Sequence, residues 1–423
     1  MPDPMILTRE RYRIGTRVEA IPRGWNGPEG FSNFLTAMRH SPGFPEDRLT
    51  VYVLPSMVAS WKLPDAPYAN GSELGPWSTY VHQPRVIDVC LVPWLRHGGQ
   101  KQWPLFADIL DDIESGKVAG MQYRLNRWEA LTGSPYHGSA GVAGITILRD
   151  SYARRNAQRN KQPLWTHPEL PGDAATAYEA EIHGWQSQLP TDAARVNVTF
   201  DRLKSYLAST SAAEVAWGCL KHHGSKMTFN GAMAGWWKIR TDEWRLPEFM
   251  PSPLGQSVPK NGTLWVTTPT LRFWDYLSEL GFTSGYDIVD AYLAPGKRLL
   301  RPWAQTMRDA LNVCEAPHTS ASGPHFKALA ATAADTYHAT VGMFSHEGGR
   351  VYRPDWRATI VAQDRATVLS TAWRIGRSHD LWPVRVDVDS LTYPHPPNMS
   401  ASAFGDSIGL HNKGGLGSWR AKV

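Results

Sequence analysis

Apolar and polar positions alternate in short runs separated by Pro- and Gly-rich stretches, the signature of a chain that mixes strands with helices. In the first 190 residues, Leu49–Leu54, Arg85–Leu91 and Val142–Leu148 read as strands, and helical spacing of apolar residues predicts a helix over Leu105–Ser115. A loop through Pro163–Pro190 leads into Arg195–Asp201, a β-like run that ends on an acid. The mixed pattern of Arg202–Ala208 after it suits a helix start. Phe273–Leu280 reads as an amphipathic helix, and Val384–Leu391 as a buried strand. The fold class expected is α+β.

The last of these runs, VRVDVDSL, raises a chemical question. On a strand, residues two apart share a face, so Asp387 and Asp389 would point the same way while Val386 and Val388 fill the other side. Two adjacent carboxylates repel. Either they face water at a strand end, or a hard cation such as Mg²⁺ neutralises them. Asp201, delivered at another strand tip with Tyr206 five residues on, supplies a third carboxylate.

Composition sets the bounds. The 423 residues are enough for two or three domains, and 42% hydrophobic with 20% charged residues indicates a globular chain. No apolar run reaches the ~20 residues of a membrane helix, and MPDPMILTRERYRIG lacks the apolar centre of a signal peptide, so a soluble cytoplasmic protein with no membrane partner is expected. Cys90, Cys219 and Cys314 lie far apart, which suggests neither a disulfide framework nor a zinc site. A net charge of +5 mildly favours polyanions, and the nineteen Trp read mainly as core. Tyr152–Lys161 carries four cations, including Arg154 and Arg155, which suit a phosphate backbone or a solvated helix face equally. Neither the histidines (His222, His223, His318, His325) nor Gly348–Gly349 and Gly414–Gly415 form a metal or phosphate motif. Gly-x-Ser-x-Gly is absent.

Asp201-Arg202-Leu203-Lys204-Ser205-Tyr206 resembles the first palm motif of family B DNA polymerases, D-x-x-S-L-Y-P, and Arg385–Ser390 resembles their last, Y-x-D-T-D-S. Between them, Gly262–Leu271 is similar to the family's strand-to-helix "LWV(S/T)" segment. Ala358–Arg365 is similar to "TxxxR", with Val361 where the pattern has Thr, and Gly415–Lys422 to "LGxW". The likeness covers about residues 191–423 and points to the protein-primed polymerases of phages and linear plasmids, or to polymerase-like proteins of actinobacterial mobile elements. It implies an antiparallel palm with a helical fingers insertion at about 290–345, behind an N-terminal α/β domain at 1–190 that is nucleic-acid-binding or a degenerate exonuclease. Only 34 residues follow Asp389, so the thumb is expected to be absent or truncated.

The resemblance also implies roles. Asp201 and Asp389 would bridge two Mg²⁺ or Mn²⁺ ions, with Asp387 a weaker ligand, and Tyr206 would lie under the incoming sugar. Arg365, Lys413, Trp419 and Lys422, with Arg154 and Arg155, would contact DNA. The fingers pattern K-x-x-x-N-x-x-Y-G fits Phe326–Gly342 in two registers: Lys327 serves with Tyr337, or Ala331 and Asp335 take the Lys and Asn places, with Arg301 and Arg308 able to compensate. A proofreading D-x-E is not evident, since Asp88 stands alone and Asp111–Glu114 falls on the expected helix. The function implied is DNA synthesis on a primer–template from dNTPs, with a priming protein as a further partner. The alternative is a polymerase-derived DNA-binding scaffold with little or no catalysis.

Overall fold

The structure is a computed structural model in which residues 4–14, 17–40, 48–63, 77–82, 85–93, 105, 118–136, 138–156, 164–167, 170, 172–189, 195–259 and 262–422 are described. The expected helix at 105–115, with Asp111–Glu114, lies outside these residues save Leu105, as does 157–161 of the cationic run. The chain divides into two compact units, one of Met1–Asp150 with Asp309–Thr340, the other of Ser151–Arg308 with Val341–Val423. The boundary expected near 190 is therefore drawn forty residues earlier, and a helical segment from within the expected fingers region groups with the N-terminal residues.

The first unit is built on six strands, β1 (Met5–Leu7), β2 (Arg11–Ile14), β3 (Arg17–Ala20), β4 (Arg48–Val53), β5 (Trp77–His82) and β6 (Arg85–Leu91), in the order β3-β2-β1-β4-β6-β5. The central trio β1, β4 and β6 runs parallel, and β2, β3 and β5 add antiparallel edges. This is the α/β character expected of the N-terminal region. Parallel strands covered on a face read as continuous apolar runs, as Met5–Leu7 and Val51–Val53 do. Helices α1 (Gly30–His40) and α2 (Pro55–Ser60, with proline in its first turn) cover them through Phe34, Met38, Met57 and Val58. Trp61 donates its indole N–H to the Trp25 carbonyl at 2.6 Å. Helices α3 (Val118–Thr132) and α4 (Ala140–Asn156) follow.

The strand expected at Val142–Leu148 lies inside α4. Val142, Ile145, Thr146 and Ile147 have strand propensity, but the segment is buried on several sides. A buried helix and a buried strand give the same continuous apolar pattern. Gly144 allows the close packing: a Cβ there would sit 1.7 Å from Oγ1 of Thr340 on the helix of residues 323–343.

The second unit carries two antiparallel sheets. Its elements in chain order are β7 (Trp185–Gln186), β8 (Val196–Arg202), α5 (Ser205–Ala212), β9 (Val215–Ala216), β10 (Lys221–His222), β11 (Met233–Arg240), β12 (Thr263–Thr267), α6 (Thr268–Glu279), β13 (Asp287–Lys297), α7 (Arg301–Glu315), which crosses into the first unit, α8 (Gly323–Met343), which lies mostly there, α9 (Pro354–His379), β14 (Arg385–Asp387), β15 (Ser390–His395), α10 (Ala401–Ser407) and β16 (Trp419–Lys422). One sheet has the order β10-β13-β11-β12 with β9 on β13, the other β16-β8-β15-β14-β7. The 26-residue α9 packs against α5, α6 and strands of both sheets. Its buried Val368, Leu369, Ala372 and Trp373 meet Phe200, Val386, Leu391 and Trp419 in one core. Among the described residues no helix is long and apolar enough to cross a membrane.

Val384–Leu391, expected as one strand, is a hairpin. β14 ends at Asp387, which pairs with Ser390, and Val388 and Asp389 form the two-residue connection. Val388 adopts a positive φ of 50°. Two-residue hairpin loops demand positive φ and usually place Gly, Asn or Asp there. A β-branched residue in that region is an outlier, strained by about 1–3 kcal/mol. The sequence gives no turn signal, and alternation on both sides of the turn mimics an unbroken strand.

Candidate active site

Two sequence-distant strand tips bring Asp201 and Asp389 together. β8 pairs with β15 so that Asp201 lies opposite Ser390, and the Arg202 amide donates to the Asp389 carbonyl at 3.0 Å. β8 then turns tightly into α5 through Lys204, at a left-handed φ of 53°, and this sets Ser205 to donate its hydroxyl to Oδ2 of Asp389 at 3.0 Å. Burial pushes the Asp389 carboxyl upward and the charge of Asp201 adds to the rise, while the Ser205 hydroxyl opposes it.

On the other edge of β8, β16 carries Lys422, whose ammonium stands 2.8 Å from Oδ1 of Asp201. That oxygen is buried and receives no hydrogen bond. The ammonium is therefore in ion-pairing range but off the line of a hydrogen bond.

Asp387 does not share this cluster. The hairpin ends the strand before Asp389, so the face-sharing expected of residues two apart fails. Oδ1 of Asp387 accepts the Gly184 amide at 3.0 Å and Oδ2 the Arg385 guanidinium at 2.8 Å. The Gly184 bond, with help from Arg385, holds this carboxyl below the usual range.

Behind the acids is a polar layer the sequence did not single out. Arg202 and Asp364 are both buried and pair at 2.5 Å, and Ser209 donates to the same Asp364 oxygen at 2.7 Å. Burial pushes Asp364 upward against the pull of Arg202, and it lowers Arg202 against the pull of Asp364 and Asp389. The adjacent Arg365 points about 100° around α9 into a second buried pair, with Glu179 at 2.6 Å. A sequence clue existed in the run Gln363-Asp364-Arg365 set between the apolar stretches Ile360–Ala362 and Val368–Leu369, since buried charges must be paired.

Other expected residues fall as follows. The Tyr206 hydroxyl is held by Glu181 on the approach to β7. Arg365, expected to contact DNA, is buried and spends its guanidinium on Glu179, Thr270 and the carbonyls of Pro253 and Ala180. Trp419 is buried in the core shared by α9 and the β16-β8-β15-β14-β7 sheet. Lys413 is exposed on the loop before β16, and Arg154 is exposed near the end of α4, which also includes Arg155. In the segment of the first unit, α8 exposes Lys327 and Ala331 and buries Tyr337. Asp335 is half-buried. Asp88 is buried on β6 and accepts the Thr79 hydroxyl at 2.7 Å.

Among the described residues no three acidic, His or Cys side chains converge as a metal-binding group. The pair Asp201 and Asp389 nonetheless fits a divalent ion in donor chemistry: both are hard oxygen donors, they repel each other, and Asp201 Oδ1 is a buried acceptor met by the Lys422 ammonium as an ion pair without a hydrogen bond.

No protein-family model matches the sequence, and no curated protein matches it. Solved structures do. Phi29 DNA polymerase complexed with primer–template DNA and incoming nucleotide substrates superposes with a TM-score of 0.52 at 11% identity, covering 97% of this chain and 80% of that one. The orthorhombic crystal form of the same polymerase gives 0.50 at 11% identity, over 99% and 82%. The fold is DNA polymerase-like. The polymerase-like fold implied by the motifs is thus present in outline. A family B DNA polymerase from the hyperthermophilic archaeon Pyrobaculum calidifontis is a more distant likeness, at a TM-score of 0.35 and 13% identity over 94% of this chain and 51% of that one.

Proposed function

We propose that this chain carries out template-directed DNA synthesis, joining a nucleotide to a primer 3′ hydroxyl at a site built on Asp201 and Asp389. The observation that carries the reading is the meeting of these two carboxylates at neighbouring strand tips of an antiparallel sheet, within a polymerase-like fold. Divalent ions bound there, Mg²⁺ or Mn²⁺, would supply the charge stabilisation that phosphoryl transfer requires. The chain's own residues do the rest: Ser205 orients Asp389, the Arg202 amide fixes the turn that carries it, and Tyr206, whose hydroxyl is held by Glu181, would lie under the incoming sugar. Following the motifs, the finer reading is a replicase of a phage, plasmid or mobile element that takes primer–template DNA and dNTPs, with a protein as one candidate primer.

A second reading is a DNA-binding scaffold derived from a polymerase. It is favoured by the engagement of Asp387 with Gly184 and Arg385, which leaves two acids in the cluster. Incorporation of labelled dNTPs on a primed template with Mg²⁺ or Mn²⁺, run beside Asp389→Ala, separates the two. Synthesis by the wild type alone supports the enzyme, and equal signals from both proteins remove it.

A further inference from the structure

Resting on the metal-dependent reading above, we infer that Arg202 and Asp364 are a positioning pair. Asp364 holds the Arg202 guanidinium off Asp389, so that Asp201 and Asp389 keep their charge for a divalent cation.

Arg202 follows Asp201 on β8, so its side chain turns to the opposite face of the sheet and into the protein. There it is buried, and its Nη1 donates to Asp364 Oδ1 at 2.5 Å, to Ser209 Oγ at 3.0 Å and to the Ser205 carbonyl at 3.4 Å. The same residue touches the site through its backbone, whose amide donates to the carbonyl of Asp389. A positive charge thus lies behind the acidic cluster, and Ser205 links the two: its carbonyl accepts from the Arg202 guanidinium while its hydroxyl donates to Asp389.

Two carboxylates compete for that guanidinium. Asp364, from α9, has it, together with the Ser209 hydroxyl. Asp389 is served instead by the neutral hydroxyl of Ser205. If Asp364 could not accept it, Asp389, which shares Ser205 with Arg202 and whose charge already acts on that guanidinium, would draw it. A guanidinium spread over Asp389 would neutralise it as a ligand. Stability gives little reason to keep such a pair, because apolar residues of similar volume often serve as well or better in a buried site. A second ion pair, Arg365 with Glu179, anchors α9 independently, so the Arg202–Asp364 pair is not needed to hold that helix.

The test is Mn²⁺ binding to the full chain without DNA, read from the free-ion EPR signal, with thermal melts to report folding. Asp364→Asn keeps the shape and frees Arg202, and should weaken Mn²⁺ binding roughly tenfold or more. Arg202→Met removes the cation and should bind Mn²⁺ at least as tightly as the wild type. The double variant Arg202→Met/Asp364→Leu removes both charges and should return to within about threefold of the wild type, the opposite signs of the single effects cancelling. A purely structural pair would weaken binding in both single variants alike. That result overturns the inference, as does wild-type affinity in Asp364→Asn. Should Asp364→Asn fail to fold, the other two decide, and a tenfold loss in both defeats the proposal. Equal Mn²⁺ binding by the wild type and Asp389→Ala is a different failure, since it removes the metal reading of the site and this inference with it.

Discussion

Replacing Arg365 by methionine keeps side-chain length and removes charge from a site the motifs assign to DNA and the fold assigns to the interior. The guanidinium donates to Glu179 Oε2 at 2.6 Å, Thr270 Oγ1 at 2.7 Å and the Pro253 carbonyl at 3.0 Å. Breaking one side of a buried pair costs about 3–5 kcal/mol, because the partner's charge is left uncompensated. Here the loss has a ceiling. Glu179 keeps the Thr267 amide and the Thr267 and Thr270 hydroxyls as donors. These donors hold the loss to the lower part of that range, so we expect about 3–4 kcal/mol. In a unit of about 240 residues, each kcal/mol moves the melting midpoint by roughly 2–4 °C, which gives a fall of roughly 6–16 °C. Calorimetry of the two proteins checks this, with primer–template affinity measured well below both midpoints and expected to change less than about twofold. An unchanged midpoint together with a tenfold loss of DNA affinity would refute the reasoning and return Arg365 to the surface.

Asp389→Asn should raise the midpoint by a few degrees at neutral pH while abolishing Mn²⁺ binding. Burial and the charge of Asp201 lift this carboxyl, so its contribution to stability is present at low pH and lost as pH rises through the lifted value; a permanently neutral Asn avoids that loss. The gain should vanish near pH 3, where differential scanning fluorimetry of the two proteins should coincide. Lys422→Met removes a cation that is 60% exposed, so thermal stability should shift by less than about 1 kcal/mol. Mn²⁺ affinity, measured by calorimetric titration, should tighten severalfold because the ammonium no longer competes for Asp201. Gly144→Ala would set a methyl against Thr340, and we expect about 1–3 kcal/mol of destabilisation with helix content retained by circular dichroism, the mark of overpacking between helices.

Much of the second unit was legible in the sequence because its signals are local. The run ending at Asp201, the helix start after it and the β12-to-α6 passage all carry periodicity or propensity strong enough to survive folding. In the first unit, β4 and β6 were equally plain as apolar runs bounded by turn residues. The types and order of the candidate acids were also written in the chain.

Whether those acids meet, and what stands behind them, was decided only by the tertiary structure. Asp201 and Asp389 lie 188 residues apart, and their proximity follows from the pairing of β8 with β15, a non-local register no window along the chain encodes. Asp387 left the cluster because Val388 takes a conformation its side chain disfavours, held there by pairing on both sides of the turn and by the bond from its amide to the Ile182 carbonyl at 2.6 Å. Arg365 left the surface, and Asp364 found Arg202, because adjacent residues on a buried helix point to different neighbours, and only the packing of α9 names them. Local free-energy preferences choose the elements. The long-range desolvation of charges, which must be paired wherever the fold encloses them, chooses the partners.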